Sequence, residues 1–289
     1  MPSMTVTSAD GTMLAVRRTG GGSPLVLVHG ALGDLDTFAL IEGLLAERHS
    51  VWVYSRRGRG GSGDGRDYAF EREIEDVSAI VDAAGGDAHL VGHSFGALCC
   101  LFAATRSPSL RSLVLYEPPL RSDRFDPSVA ADAESALDAG DPDRALAILF
   151  PALGVVDQEA LILRTLPVWA RLREGVRLCP REGRALQDGH RQLISHDPPD
   201  IPTLYLYGQE TDAPSFAELD EVAGLLPNAR LHGLPGQHHL AFAFDPATFA
   251  ETILAFTTTH DAASVDSQPR RRIDTGDPDD QSSRVGERS

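Results

Sequence analysis

The sequence predicts an α/β fold, with a mostly parallel sheet flanked by helices and a purely helical insertion late in the chain. Three observations carry this. Between residues 24 and 116, apolar runs alternate with helical periodicity in the order strand, helix, strand, helix, strand, helix, strand, which is the pattern of parallel βαβ units. The runs, Leu25-Val26-Leu27-Val28 and Val51-Trp52-Val53-Tyr54 among them, are continuously apolar, as befits strands covered on both faces. After a stretch without strand-like runs the pattern resumes at Ile201, so the helical stretch interrupts one sheet.

Taken in order, Met4–Ser8 and Met13–Thr19 alternate around Asp10-Gly11 and read as a hairpin. Pro24–His29 is the first buried strand, ending in His29-Gly30-Ala31, and a helix capped by Asp34 reaches to about Arg48. Ser50–Tyr54 is the next strand. It leads into Ser55-Arg56-Arg57-Gly58-Arg59-Gly60-Gly61-Ser62-Gly63, a glycine-rich loop without the lysine and spacing of a phosphate-binding P-loop. Phe70–Ala84 is helical, with Ile74, Val77, Ile80 and Val81 on one face and Glu71, Glu73, Glu75 and Asp76 near its start, where the helix dipole favours acids. Ala88–Gly92 is a strand, Phe95–Arg106 a helix and Ser112–Tyr116 a strand. The insertion reads as helices at 128–139, 143–150, 158–166, 168–172 and 181–193. Strand 201–207, helix 214–226, strand 229–234 and helix 246–258 then close the fold, with Pro246 in the first turn of the last helix. Residues 261–289 hold almost nothing apolar beyond Val265, Ile273 and Val285. Such a segment cannot offset its ordering entropy by burial, so a disordered tail is expected.

Composition narrows the function. The net charge is −16, and all 26 basic residues are arginine. So acidic a chain disfavours nucleic acid and anionic membranes. No apolar run approaches the ~20 residues that span a bilayer. Met1–Asp10 lacks the basic flank and apolar core of a signal peptide. Three cysteines, Cys99, Cys100 and Cys179, make neither a disulfide framework nor a zinc site. A cytoplasmic protein acting on a small molecule, as a monomer or homodimer and without metal or cofactor, is expected.

The chemistry centres on Leu90-Val91-Gly92-His93-Ser94-Phe95-Gly96-Ala97. Its G-x-S-x-G run, between a strand and a helix, is a nucleophile elbow. It holds Ser94 at the strand's C-terminal edge, with helix N–H groups behind it. A serine hydroxyl needs a base, and neutral histidine suits the task. His238 and His239 follow the last strand, and loops at the C-terminal ends of parallel strands share one edge of the sheet.

These features, together with His29-Gly30, Arg57-Gly58-Arg59-Gly60-Gly61-Ser62, Pro202–Gly208 and a histidine seven residues before Pro246, resemble the α/β-hydrolase fold family over residues 4–258. The likeness is to cap-containing serine hydrolases of esterase, haloperoxidase and C–C hydrolase type. The resemblance implies a hydrolase core over 1–120 and 199–260, a helical cap over 121–198 and a tail over 261–289. It makes His239 the base, aligning Gly236 with the first glycine of the family's Gly-x-Gly-His, and leaves His238 as a loop or pocket residue. It assigns the oxyanion-hole amides to Ala31 and Phe95. The acid stays open. The family's position three residues after the glycine of strand seven is Thr211 here, so Asp212, Glu210 and Glu117 at the end of strand six all remain candidates.

The resemblance also places Phe38 near the oxyanion turn, and Phe125, Phe150, Leu166, Trp169 and Leu172 of the cap, as candidate pocket walls. The implied activity is cofactor-independent hydrolysis of an ester, thioester or related acyl bond. A C–C hydrolase or perhydrolase would use the same residues, and a non-catalytic ligand-binding member of the fold is the alternative outside enzymes. Dehalogenases and epoxide hydrolases are disfavoured, since they carry aspartate where Ser94 stands.

Overall fold

A computed structural model describes residues 4–107, 109–120, 126–193, 197–211, 222 and 224–266. Its centre is an eight-stranded sheet in the order β1-β2-β4-β3-β5-β6-β7-β8. The strands are β1 (Met4–Thr7), β2 (Met13–Thr19), β3 (Ser23–Val28), β4 (His49–Tyr54), β5 (His89–His93), β6 (Ser112–Tyr116), β7 (Thr203–Gly208) and β8 (Ala229–Leu234). β1 pairs antiparallel with β2, and β2 with β4, while every other pair is parallel. The hairpin turn forms where Asp10-Gly11 predicts it: Gly11 takes φ 85° and the Thr12 N–H donates to Asp10 Oδ1 at 2.9 Å.

The central strands are apolar throughout because alternate residues feed two cores. Val26 and Val28 pack with α2 (Phe70–Ala83) and α3 (Phe95–Arg106) on one face. Leu25 and Leu27 pack on the other with α1 (Ala39–Ala46) and Phe249, Ala250 and Ile253 of the last helix. Each fully buried aliphatic side chain contributes about 1.5–3 kcal/mol of transfer free energy.

The insertion folds as α4 (Pro127–Asp138), α5 (Pro142–Ala152), α6 (Asp157–Thr165), α7 (Val168–Gly175), a 3₁₀ turn (Val176–Leu178) and α8 (Cys179–Leu193). Asp126 and Asp141 cap α4 and α5, accepting from the Ser128 and Arg144 N–H groups at 2.8 and 2.9 Å, and each is followed by a proline in the first turn. A small core of its own, including Ala133, Ala136, Leu146, Leu149, Phe150 and Val176, joins Leu32 of the loop after β3.

Three expectations shift. The first helix begins at Ala39, with Phe38 and not Asp34 at its N-cap. The last elements are α9 (Ala241–Phe244) and α10 (Pro246–Asp266), so the final helix extends beyond Thr258 and into the expected tail. Asp261, placed by sequence in that tail, accepts from Arg111 Nη1 at 2.7 Å and pairs with His89 Nε2 at 3.2 Å. The rest of the tail, residues 267–289, lies outside the described residues, as does most of the helix expected at 214–226.

Candidate active site

β5 runs straight into α3 with Ser94 between them, at φ 53° and ψ −126°. This is a conformation L-residues rarely adopt, and it costs of order 1–3 kcal/mol. The flanking glycines are required by close approach. A Cβ on Gly92 would meet Ala97 Cα at 2.5 Å, and one on Gly96 would meet the His29 carbonyl oxygen at 2.4 Å. The Ser94 N–H donates to the Tyr116 carbonyl at 2.8 Å, fastening the elbow to β6.

The residue after β6 is Glu117, in the left-handed region at φ 45°. Its N–H donates to Leu206 O at 3.0 Å. Its Oε2 meets His239 Nδ1 at 2.5 Å, while its Oε1 accepts from the Gly208 N–H at 2.7 Å and the Thr211 hydroxyl at 2.6 Å. Burial alone would raise the Glu117 pKa. The bonds from His239, Thr211 and Gly208 outweigh it and hold the carboxyl below its usual range. Because a carboxylate accepts at Nδ1, the His239 proton sits there and Nε2 is left as the basic nitrogen.

Two further side chains hold the histidine loop. His93 Nε2 donates to the His239 carbonyl at 3.0 Å, its ring centroid 4.5 Å from that of His239. The Tyr116 hydroxyl donates to the His238 carbonyl and accepts from the Ala241 N–H at 3.2 Å. Burial, and then the neighbouring His239, drives the His93 pKa well down, so His93 stays neutral. His29 is likewise neutral, through burial and the charges of Arg56 and Arg59. It accepts the Arg56 N–H at 3.1 Å and bonds the Gly30 carbonyl at 2.9 Å.

Ser94, Glu117, His239, Ala31 and Phe95 all line one cavity of about 190 Å³, roofed by α5 and α8 of the insertion. The structure therefore brings together the expected nucleophile, base and oxyanion residues with one of the three candidate acids. Asp212 lies outside the described residues, and Glu210 is exposed and absent from the cavity wall.

The expected pocket residues fare differently. Phe38, at the N-cap of α1, is buried in the core against Phe242, with ring centroids 5.2 Å apart, and does not line the cavity. Trp169 packs on Phe150 at 5.9 Å, and its Nε1–H donates to Asp143 Oδ1 at 2.9 Å, so both aromatics serve the insertion's own core. Neither they nor Leu166, Leu172 and His238 line the cavity, and Phe125 is outside the described residues. The insertion gives the wall smaller residues instead, such as Leu149, Leu153 and Leu186, and the strand β7 gives it Tyr205 and Tyr207.

The arginines of the glycine-rich loop turn inward. Arg56 forks onto Glu73 at 3.0 and 2.8 Å and reaches Glu182 of α8 at 2.7 Å, with its guanidinium 4.5 Å from the Phe95 ring. Arg57 forks onto Asp76 at 2.8 and 2.7 Å. Glu73 and Asp76, read from sequence as dipole-favoured acids, are thus buried counter-ions. Sequence reasoning missed His93, Tyr116 and Glu182 as well. The position of His93 between Gly92 and Ser94 was the one available signal, since that residue must lie beneath the elbow.

At the opposite edge of the sheet, His49, His89 and Asp261 have potential ligand atoms within 4.8 Å of one another. Their groups are already engaged with Ser23, Thr257, Ser112 and Arg111. Among the described residues no helix is long and apolar enough to cross a membrane.

Comparison with known proteins agrees with this architecture. Residues 25–252 match the model of the Alpha/beta hydrolase family, and the chain belongs to that family. An alpha/beta hydrolase from Sphaerobacter thermophilus superposes with a TM-score of 0.77 at 33% identity, covering 88% of this chain and 100% of that one. N-formylmaleamate deformylase from Pseudomonas putida is 36% identical over 118 residues, which are 39% of this chain and 44% of the deformylase. The match therefore spans less than half of that relative. 2-(Acetamidomethylene)succinate hydrolase from Mesorhizobium japonicum is 26% identical over 84% of this chain and 91% of its own length.

Proposed function

We propose that the protein is a cofactor-independent serine hydrolase acting on a carboxylic ester or related acyl bond of a small molecule. The observation that carries the reading is the 2.5 Å contact between Glu117 Oε2 and His239 Nδ1, on the same cavity as an elbow serine. In this reading His239 Nε2 takes the Ser94 proton as Oγ attacks the acyl carbon. The backbone N–H groups of Ala31 and Phe95 hold the oxyanion, and each such donor is worth about 2.7–4 kcal/mol of barrier. Glu117 fixes the tautomer and stabilises the imidazolium. His239 then returns the proton to the leaving group, and a water activated by the same histidine cleaves the acyl-enzyme. The buried, unpaired cysteines Cys99, Cys100 and Cys179 suit a reducing cytoplasm, and a monomer or homodimer remains the expected state.

A fluorophosphonate probe followed by peptide mass spectrometry tests this. One adduct on Ser94 is expected, absent from Ser94→Ala, together with hydrolysis of short esters that the substitution abolishes. Folded protein with neither adduct nor turnover would refute it.

A further inference from the structure

The cavity beside Ser94 has one polar feature that the proposed chemistry does not use. Its wall is otherwise largely apolar, with Leu149, Leu153, Leu186, Val222, Tyr205 and Tyr207 around it. Among the described residues the carboxylates on that wall are Glu117 and Glu182. Glu117 is fully engaged, with Oε2 on His239 and Oε1 on Gly208 and Thr211. Glu182 is different. It stands on α8 of the insertion and is only 3% exposed. Its Oε1 takes both Arg56 Nη2, at 2.7 Å, and Arg59 Nη2. Its Oε2, also buried, has no hydrogen-bond partner among the described residues.

A buried carboxylate oxygen without a donor is unfavourable, and such an acceptor is normally satisfied by water or ligand. Both arginines bond Oε1, so Oε2 is the acceptor left on this residue of the cavity wall. No arginine lines the cavity among the described residues. Arg56 is consumed by Glu73, Glu182 and the Gly30 carbonyl. A ligand carboxylate beside Glu182 would meet a like charge, and the Arg56 and Arg59 guanidiniums already bond that carboxylate. A hydroxyl or ammonium group would meet an acceptor.

We infer that Glu182 is a specificity-determining acceptor, and that the substrate carries a hydrogen-bond donor, a hydroxyl or an amine, on the part that fills the cavity. The inference rests on the serine-hydrolase reading and extends it to a substrate class. That class differs from the one suggested by the acid-bearing name of the succinate hydrolase relative.

A panel of esters tests it with the full-length chain. Methyl butanoate, pentanoate and hexanoate are compared with their ω-hydroxy, ω-amino and ω-carboxylate counterparts. Acetates of alcohols bearing the same groups cover the leaving-group side. Values of kcat/KM come from acid release, corrected for the uncatalysed rate. A site built around a hydrogen bond rejects analogues lacking it, so at one length the donor-bearing ester should exceed its parent by at least about tenfold. The carboxylate ester should be the poorest, and Glu182→Gln should collapse the preference for the amine.

Equal values for donor-bearing and parent esters at every length in both series, or a preference for carboxylate, overturns the inference whether or not the variant folds. A preference for the amine that survives unchanged in folded Glu182→Gln also overturns it. A Ser94 adduct without donor preference, or without turnover of any ester in the panel, defeats this inference alone. Loss of both adduct and turnover defeats the hydrolase reading and this inference with it.

Discussion

Glu117 is bound on three sides, and each bond serves to aim one oxygen at His239. Its left-handed backbone, followed directly by Pro118 and Pro119, turns the side chain back over the end of β7. Sequence reading left three acids open because spacing along the loop after β7 puts none of them in register with the family pattern. What brings Glu117, and not Glu210, against His239 is the neighbouring position of β6 and β7 in the sheet, where the Glu117 N–H bonds Leu206 O at 3.0 Å. Pairing between strands nearly ninety residues apart leaves no local trace (Leu113 opposite Thr203). The same holds for Tyr116, which reads as one more apolar strand residue. Its hydroxyl bonds the carbonyl before His239 and the amide of Ala241. Tyr116→Phe removes both bonds and leaves buried backbone groups unpaired, for an expected loss of about 1–3 kcal/mol by urea denaturation. Turnover should fall more than KM changes, because the side chain positions His239 and does not line the cavity.

At the scale of elements, local signals worked where periodicity is strong and failed where partners are distant. β2, α3, β6 and β8 begin and end where sequence places them. The arginine loop did not declare its role, since Glu73, Asp76 and Glu182 reach it from α2 and α8. Buried pairs of this kind add little net stability but leave a costly charge when one partner is lost; of the three acids, Glu182 is the one that ties the insertion to the loop, through Arg56 and Arg59.

The boundary of α10 was missed for a similar reason. Asp261 looks like the start of a polar tail, yet it closes a cluster with Ser23, His89 and Arg111 at the N-terminal ends of β3, β5 and β6. Burial pushes His89 down to about 4, despite the raising effect of Asp261. An unfolded histidine titrates near 6.5, so between pH ~6.5 and ~4 the unfolded chain binds a proton that the folded chain does not. The contribution is complete above pH ~6.5 and is lost as pH falls toward 4, up to roughly 3 kcal/mol. Urea midpoints measured across that range should drop, and His89→Asn should flatten the slope. An unchanged slope in the variant would assign the acid sensitivity elsewhere.

For the whole molecule, one sheet sets the arrangement. Its parallel strands bring the ends of β3, β5, β6 and β8 to a single edge, where the turn at Ala31, the elbow, Glu117 and His239 meet under the insertion. Fold class, the helical insertion and the meeting of Ser94 and His239 at one cavity were legible because they depend on alternation, glycine spacing and chain order. The cavity wall was not. Large aromatics such as Trp169 and Phe150 are what a pocket would be expected to use, but the insertion lends the cavity of about 190 Å³ Leu149, Ala152, Leu153 and Leu186, while its own aromatics fill its core.

The central claim is that Glu117 stands behind His239 in a Ser94-dependent hydrolase. Its most direct test is ester turnover by Glu117→Gln beside Asp212→Asn, each verified as folded by circular dichroism. Losing the acid of such a triad costs up to about 10⁴ in turnover. The expected result is a loss of that order for Glu117→Gln, with Asp212→Asn close to the unsubstituted protein. A folded Glu117→Gln with near-normal turnover, or a collapse in Asp212→Asn alone, would contradict the account.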